Sequence, residues 1–318
     1  MKTLSLSEYN TFEQITMLSQ HKLKQVISKY LRKNYNKIIE TKEFIIAEGD
    51  IPIALVAHLD TVFPEPPEEV YFDRQKNVIL SPTGLGADDR AGVYAILRII
   101  REGLRPHVIF TTDEEVGGIG ATAVAKLKMP FNELKYIIEL DRRGSNDCVF
   151  YNCSNEDFTK YIESFGFEWN FGSYSDIYEI CPSWEVAGVN LSIGYRDEHS
   201  ESEVLFVGQM LSTIEKVKNM LCDVHNIKEP FKYIEYYSQY SNWFNYHSDI
   251  DLCNHCKKYF MEEELLSVVG LDEKLKKYCH NCIDNWIAWC GECGRAYEKM
   301  AIEEPEDGVC PICKKKGK

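Results

Sequence analysis

The chain has 318 residues, with 36 Lys and Arg against 50 Asp and Glu, a formal net charge of −14. Apolar residues make up 44% and charged residues 27%, the balance of a globular protein, which excludes intrinsic disorder and a collagen-like fibre. The acid excess argues against nucleic acid as the main partner, because phosphate binding needs clustered Lys and Arg.

In chain order, apolar positions at Ile15, Leu18, Val26, Ile27 and Tyr30 predict an amphipathic helix over 12–31. Ile38–Ala47 reads as a strand ending at Gly49, and Ile51–Leu59 as a strand buried on both faces. A Pro-rich loop spans 64–67. Val93, Ile96, Leu97 and Ile100 define a helix over 89–102 that Gly103 ends. Val108–Thr111 is another buried strand, 119–128 a short helix, Tyr136–Leu140 a third strand and Val189–Ile193 a fourth. A long helix occupies 203–222. Alternating helices and apolar strands predict an α/β fold of three layers, a mostly parallel central sheet flanked by helices. The predicted domains are a catalytic one over 1–224, an aromatic-rich linker over 225–252, and a small C-terminal zinc-stapled module over 253–318. The linker holds eight aromatics, among them Tyr236, Tyr237, Trp243 and Phe244, which read either as packing onto one domain or as a substrate-facing wall.

Polar clusters follow the apolar strands, where open α/β sheets bind ligands. They are His58-Leu59-Asp60, Gly86-Ala87-Asp88-Asp89-Arg90-Ala91-Gly92, Thr112-Asp113-Glu114-Glu115-Val116-Gly117, Glu139-Leu140-Asp141 and Glu198-His199-Ser200-Glu201. Together they supply two imidazoles and several carboxylates, the mixture that suits zinc or a similar divalent ion. Singly, each has a plainer role. His58 alone reads as a structural histidine, Asp88 as a helix N-cap, Glu114-Glu115 as a solvated loop, Asp141 as a partner of Arg142 or Arg143, and His199 as a surface residue. The five together are far more specific than any one.

The stretches AHLDT, GADDRAG and TDEEVGG, followed by a lone Asp and a late His, resemble the co-catalytic di-zinc exopeptidases. That clan includes tripeptidase (peptidase T), the aminoacylases and desuccinylases, and the bacterial leucyl-type aminopeptidases. The resemblance covers about residues 50–222. It implies that His58 and Asp141 bind one zinc, that Glu115 and His199 bind the other, and that Asp88 bridges them. It makes Glu114 the general base and later the acid, and Asp60 the residue that orients His58. It also implies a cis Asp88–Asp89 peptide. Only 57 residues separate Asp141 from His199, and 29 separate His58 from Asp88, too few for the inserted lid domains of some members. A compact, unlidded catalytic domain follows, closest to the leucyl-type branch, which Ser175-Asp176 also resembles. A substrate clamp must then come from loops. Tyr195 and Arg196 are near His199 in sequence for that task, although a surface salt bridge is the commoner fate of such an arginine.

Twelve cysteines are present, and eight form four C-x-x-C pairs in the last 66 residues. The N-terminus lacks the apolar core of a secretory signal, and apolar runs such as Ile51–Ala57 are far short of the ~18 residues of a membrane span. A cytoplasmic location with reduced thiols is therefore expected. The pairs Cys253/Cys256 with Cys279/Cys282, and Cys290/Cys293 with Cys310/Cys313, have the spacing of two four-cysteine zinc sites. An interleaved cross-brace is the alternative pairing, and His255 and His280 are weaker ligand candidates. Cys148, Cys153, Cys181 and Cys222 read as small buried hydrophobes. From Cys253 onward 11 Lys and Arg face 12 Asp and Glu, so two loaded four-thiolate sites leave the module acidic, which favours a protein partner or substrate gating over DNA.

The expected activity is zinc-dependent exopeptidase cleavage, aminopeptidase first, of a peptide or small amide substrate. Two catalytic and two structural zincs are implied, with cobalt or manganese as alternatives in the catalytic pair. The competing readings are an amidohydrolase or deacylase acting on small N-acyl compounds, and a non-catalytic scaffold acting through the zinc ribbon.

Overall fold

The computed structural model describes residues 2–235, 250–256, 259–261, 265–271, 274–299, 308–310 and 312–313. The chain forms two compact units, Met1–Tyr236 and Tyr237–Lys318.

The first unit opens with two helices, α1 (Leu6–Thr16) and α2 (Gln20–Asn34), in place of the single predicted one. Ser5 and Glu8 close a capping box that starts α1 early, and Ser19 adopts extended backbone before α2. Both helices send apolar residues into the same core, so the periodicity reads through the break. The strand predicted over 38–47 is a hairpin of β1 (Lys37–Glu40) and β2 (Phe44–Glu48). The polar Thr41-Lys42-Glu43 makes the turn, with the Thr41 hydroxyl accepting from the Glu43 N–H at 3.1 Å. Next come β3 (Ile51–His58), β4 (Tyr71–Asp73), β5 (Val78–Leu80), α3 (Ala87–Arg101), β6 (Pro106–Thr111), α4 (Ile119–Ala125) and β7 (Tyr136–Arg142). The unit continues with β8 (Asp147–Val149), α5 (Glu156–Glu163), β9 (Glu168–Trp169), α6 (Asp176–Trp184), β10 (Gly188–Ser192), β11 (Tyr195–Arg196), β12 (Val204–Phe206) and α7 (Val207–Asp223). The last helix starts four residues later than predicted because Val204–Phe206 pairs with β5.

The main sheet has the order β1-β2-β6-β3-β7-β10-β8-β9, and its central strands β6, β3, β7 and β10 are parallel to their neighbours in that group. Alternation along the strands builds two cores. Ile53, Leu55 and Ala57 of β3 pack with Tyr94 and Ile96 of α3 and Ile214 of α7 on one face. Ala54 and Val56 pack with Val124 of α4 and Ile180 of α6 on the other. The three-layer architecture is therefore the one expected, and continuous apolar strands were its sign because both faces are covered. The chain between Asp141 and His199 extends this sheet and its helices rather than building a lid. A second, antiparallel sheet, β11-β12-β5-β4, stands apart.

Of the aromatic stretch 225–252, Phe231 packs against Tyr136, Phe158 and Tyr161 with ring centroids 5.0–6.0 Å apart. Tyr236, Tyr237, Trp243 and Phe244 lie outside the described residues. Among the described residues no helix is long and apolar enough to cross a membrane.

Among its described residues the second unit has three antiparallel pairs, β13 (Ile250–Leu252) with β14 (Tyr259–Met261), β15 (Leu265–Val269) with β16 (Leu275–Cys279), and β17 (Ile287–Trp289) with β18 (Ala296–Glu298). A short helix, α8 (His280–Trp286), follows β16. Its apolar clusters are small and built partly from the thiols: Cys253, Cys279 and Cys282 with Leu265, Val268 and Ile287, and Cys290 and Cys310 with Tyr297.

Candidate metal centre

The carboxyl ends of the parallel strands gather the strand-end clusters. His58 is the last residue of β3, and Asp141 lies near the end of β7. Glu114 and Glu115 follow β6, where Asp113 adopts a left-handed backbone (φ 59°). Asp88 lies in the first turn of α3 behind Gly86, its N-cap, which has a left-handed φ of 66°, and its own backbone is non-helical (φ −79°, ψ 102°). The capping role for Asp88 is therefore not the one found. His199 sits on the loop between β11 and β12, also left-handed at φ 61°. The Asp88–Asp89 peptide is cis.

These side chains converge on two clusters that share Asp88. His58 Nε2 is 3.1 Å from Asp88 Oδ1 and 3.5 Å from Asp141 Oδ1. His199 Nε2 is 3.2 Å from Asp88 Oδ2 and 3.1 Å from Glu115 Oε2. Each oxygen of Asp88 thus faces a different ring. A ring nitrogen so close to two carboxylate oxygens requires a cation or a proton between them. The edges also match a tetrahedral N/O zinc site, where ligands at about 2.0–2.1 Å lie about 3.3 Å apart. Both the donor set and the spacing fit a pair of divalent ions. Asp60 Oδ1 faces the other nitrogen of His58 at 3.3 Å, while Asp60 Oδ2 accepts from the Glu115 N–H at 3.0 Å. Donor atoms of His58, Glu114 and Glu115 also lie within 4.8 Å of one another.

His199 is exposed, as its plainer reading had it, but the arginines offered as partners for Asp141 bond elsewhere. Arg142 reaches Asp147 and Arg143 reaches Glu198, whereas Asp141 accepts from the Tyr195 hydroxyl at 3.0 Å. Tyr195 is buried, which removes it as a substrate clamp and makes it a support for Asp141. The Arg196 guanidinium lies over the Phe206 ring, 5.1 Å from its centroid.

Three supporting residues escaped the sequence reading. Gln20, at the start of α2, brackets Asp113: its Nε2 donates to the Asp113 carboxylate (2.9 Å) and its Oε1 accepts the Asp113 N–H (3.1 Å). Glu139 accepts from the Asp176 and Ile177 N–H groups at 3.1 and 3.3 Å, anchoring α6. Glu203 accepts from the N–H groups of Gly86 (2.5 Å) and Asp88 (3.0 Å). Only Glu139 lay inside a cluster noted in the sequence.

Burial and charge crowding perturb several ionisable groups here. Burial raises Glu114 and Glu203 from 4.5 to about 7, and Asp176 from 3.8 to about 6. Hydrogen bonds to Asp88 and Glu115 raise His199 to about 10. Burial would raise Asp88 too, but hydrogen bonds from His199 and His58 outweigh it and hold Asp88 below its ordinary value. Burial also raises Asp89, Glu139 and Asp141; the raised acids keep protons that the unfolded chain releases, so the folded state binds more protons and stability falls with rising pH. For Glu114, Asp176 and Glu203 that penalty begins near pH 4 and is complete above about 7. His199 acts in the same direction at higher pH, and Asp88 matters only below its ordinary 3.8. Metal-free protein is therefore expected to melt at a higher temperature at pH 5 than at pH 8, measured by calorimetry. A Tm that climbs across that interval would refute it.

In the second unit the thiols of Cys253, Cys256, Cys279 and Cys282 converge, and so do those of Cys290, Cys293, Cys310 and Cys313. The grouping is sequential rather than interleaved. Sγ atoms of Cys256 and Cys279, and of Cys293 and Cys310, are each 3.9 Å apart, near the about 3.8 Å edge of a four-thiolate zinc site. The Cys310 N–H, with those of Cys293 and Glu292, draws the Cys290 thiol down to about 6, toward the thiolate that metals require.

Residues 45–177 match the model described as peptidase family M28. This stretch is similar to the M28 peptidases. The match bears out the resemblance to the di-zinc exopeptidases and the reading of the chain as a zinc metallohydrolase of the peptidase kind. Among solved structures the chain is similar to the aminopeptidase PepT of Bacillus cereus, at 16% identity over 69% of this chain and 98% of that one, with a TM-score of 0.56. It is also similar to a Staphylococcus aureus tripeptidase, at 13% identity over 69% and 98% with a TM-score of 0.57. A TET aminopeptidase from a marine-sediment Thaumarchaeota archaeon aligns at 13% identity over 70% and 100%, with a TM-score of 0.56. At such identities the likeness is one of fold. No curated protein sequence matches the chain. The M28 match contains His58, Asp88, Glu114, Glu115 and Asp141, while His199 and Glu203 lie beyond its end.

Proposed function

We propose that the chain is a two-metal exopeptidase, an aminopeptidase that removes residues from a peptide N-terminus. The observation that carries the proposal is Asp88, whose two carboxylate oxygens face two different imidazoles, the arrangement of a bridging ligand. His58 and Asp141 would hold one zinc, Glu115 and His199 the other, and Asp88 both. Cobalt or manganese suits the same donors. When bound, such a pair supplies Lewis-acid polarisation of a carbonyl and acidifies water.

The chain's own residues do the rest. Asp60 opposite His58 Nδ1 favours a proton there and leaves Nε2 as the donor atom. Tyr195 fixes the orientation of the Asp141 carboxylate. Glu114 carries the proton: one Oε takes it from the attacking water and returns it to the leaving amine. Burial places Glu114 near pH 7, where a carboxylate both accepts and gives a proton readily. Two structural zincs would sit in the sequential cysteine groups of the second unit, and a reducing compartment such as the cytoplasm would keep those thiols available. The acidic loaded module favours contact with a protein.

The test is a substrate panel on zinc-loaded protein, comparing aminoacyl amides, dipeptides, tripeptides and N-acyl amino acids. Release of free N-terminal residues supports the proposal. Cleavage confined to N-acyl compounds replaces it with a deacylase, and hydrolysis of none of them leaves the chain a scaffold.

A further inference from the structure

We propose that Glu203 is a positioning residue for Asp88, and that the turn 199–203 grips that aspartate from both ends. The inference rests on the reading of the centre as a metal pair. At the side-chain end, His199 Nε2 lies 3.2 Å from Asp88 Oδ2. At the backbone end, Glu203 Oε1 accepts the Asp88 N–H at 3.0 Å and Oε2 accepts the Gly86 N–H at 2.5 Å. Glu203 is 1% exposed, and nothing in the proposed proton transfer uses it.

The geometry selects a carboxylate. The left-handed Gly86 turns two N–H groups of one loop toward the same partner, and a group with two acceptor oxygens satisfies both. An amide has one acceptor, so its NH2 would meet the remaining N–H donor to donor. A buried N–H left without an acceptor costs free energy, and the loop would turn to recover a partner. The turn itself is stiff: the Glu203 N–H donates to the Ser200 carbonyl at 3.1 Å, and the next residue, Val204, pairs with Leu80. Asp88 is thereby locked so that its two oxygens stay divided between His58 and His199. Release of the backbone end would let the carboxylate rotate, and the two ligand clusters would lose the oxygen each needs from it.

The experiment measures zinc affinity of the full-length chain at 25 °C by competition with a chromophoric chelator, for wild type, Glu203→Gln, Glu203→Asp and Thr213→Val. Thr213 is a buried hydroxyl that donates to the Ser192 carbonyl and serves as a control for destabilisation away from the centre. Glu203→Gln is expected to weaken zinc binding at the first unit about 10–100-fold, the range for residues that orient metal ligands, with the cysteine sites unchanged. Glu203→Asp keeps the charge with a shorter reach and is expected to fall between Gln and wild type. It also serves if the Gln variant does not fold. Thr213→Val is expected to lower Tm and leave affinity within about twofold. If the Glu203 variants lower Tm but bind zinc as wild type does, Glu203 is only structural and the inference is overturned. If wild type itself binds no zinc outside the cysteine sites, the metal-pair reading fails first.

Discussion

Glu114→Gln is expected to lower kcat by roughly 10²–10⁴-fold, the range for removal of a general acid–base group, while metal analysis still finds four zincs per chain. Glutamine matches glutamate in size but neither holds nor moves the proton. The zinc count separates the two roles of the Glu114–Glu115 pair. Glu115 faces His199 at 3.1 Å, so Glu115→Gln is expected to lose metal, whereas Glu114 lies within reach of His58 and Glu115 without entering either three-residue set around Asp88. Full activity in Glu114→Gln would sink the mechanism, and loss of zinc would move Glu114 among the ligands.

Replacement of a module cysteine is expected to have the largest structural effect. Cys253→Ser and Cys290→Ser should each lower the zinc count from four to three and render the second unit sensitive to protease. The reason lies in what the module buries. Among the described residues its two clusters contain Cys253, Cys279 and Cys282, and Cys290 and Cys310, with few other apolar residues. An apolar core of that size does not support a fold of this length without staples. Apparent zinc binding in four-ligand modules contributes about 10–16 kcal/mol at pH 7, and that binding energy is folding energy. A variant that keeps four zincs, or a chelator-treated chain whose second unit stays protease-resistant, would refute two structural zincs.

The sequence alone determined the layer architecture and the position of the five polar clusters. A strand covered on both faces must be apolar at nearly every residue, so Ile51–Ala57, Val108–Phe110 and Tyr136–Leu140 announced themselves. Parallel connection then puts the residues that follow at one edge of the sheet, which is why His58, Glu114, Glu115 and Asp141 were legible. The cysteine pairs were legible for another reason: a zinc knuckle takes both ligands from one short turn, so its spacing survives in the sequence.

Only the tertiary structure decided how the clusters are held. The Glu203 carboxylate meets the Asp88 N–H across 115 positions, and Gln20 meets Asp113 across 93. Such bonds leave no period in the sequence, and neither residue type is distinctive. The strands β4, β5, β11 and β12, two or three residues each, are too short for alternation to show, yet they carry the loop that delivers His199. The break between α1 and α2 was hidden because one core receives both helices. Tyr195 read as a clamp from its place beside His199, and folding turned it inward to Asp141. Local patterning records what each segment must bury. Which distant polar group satisfies a buried N–H or carboxylate is settled only when the layers close and remove water as the alternative partner.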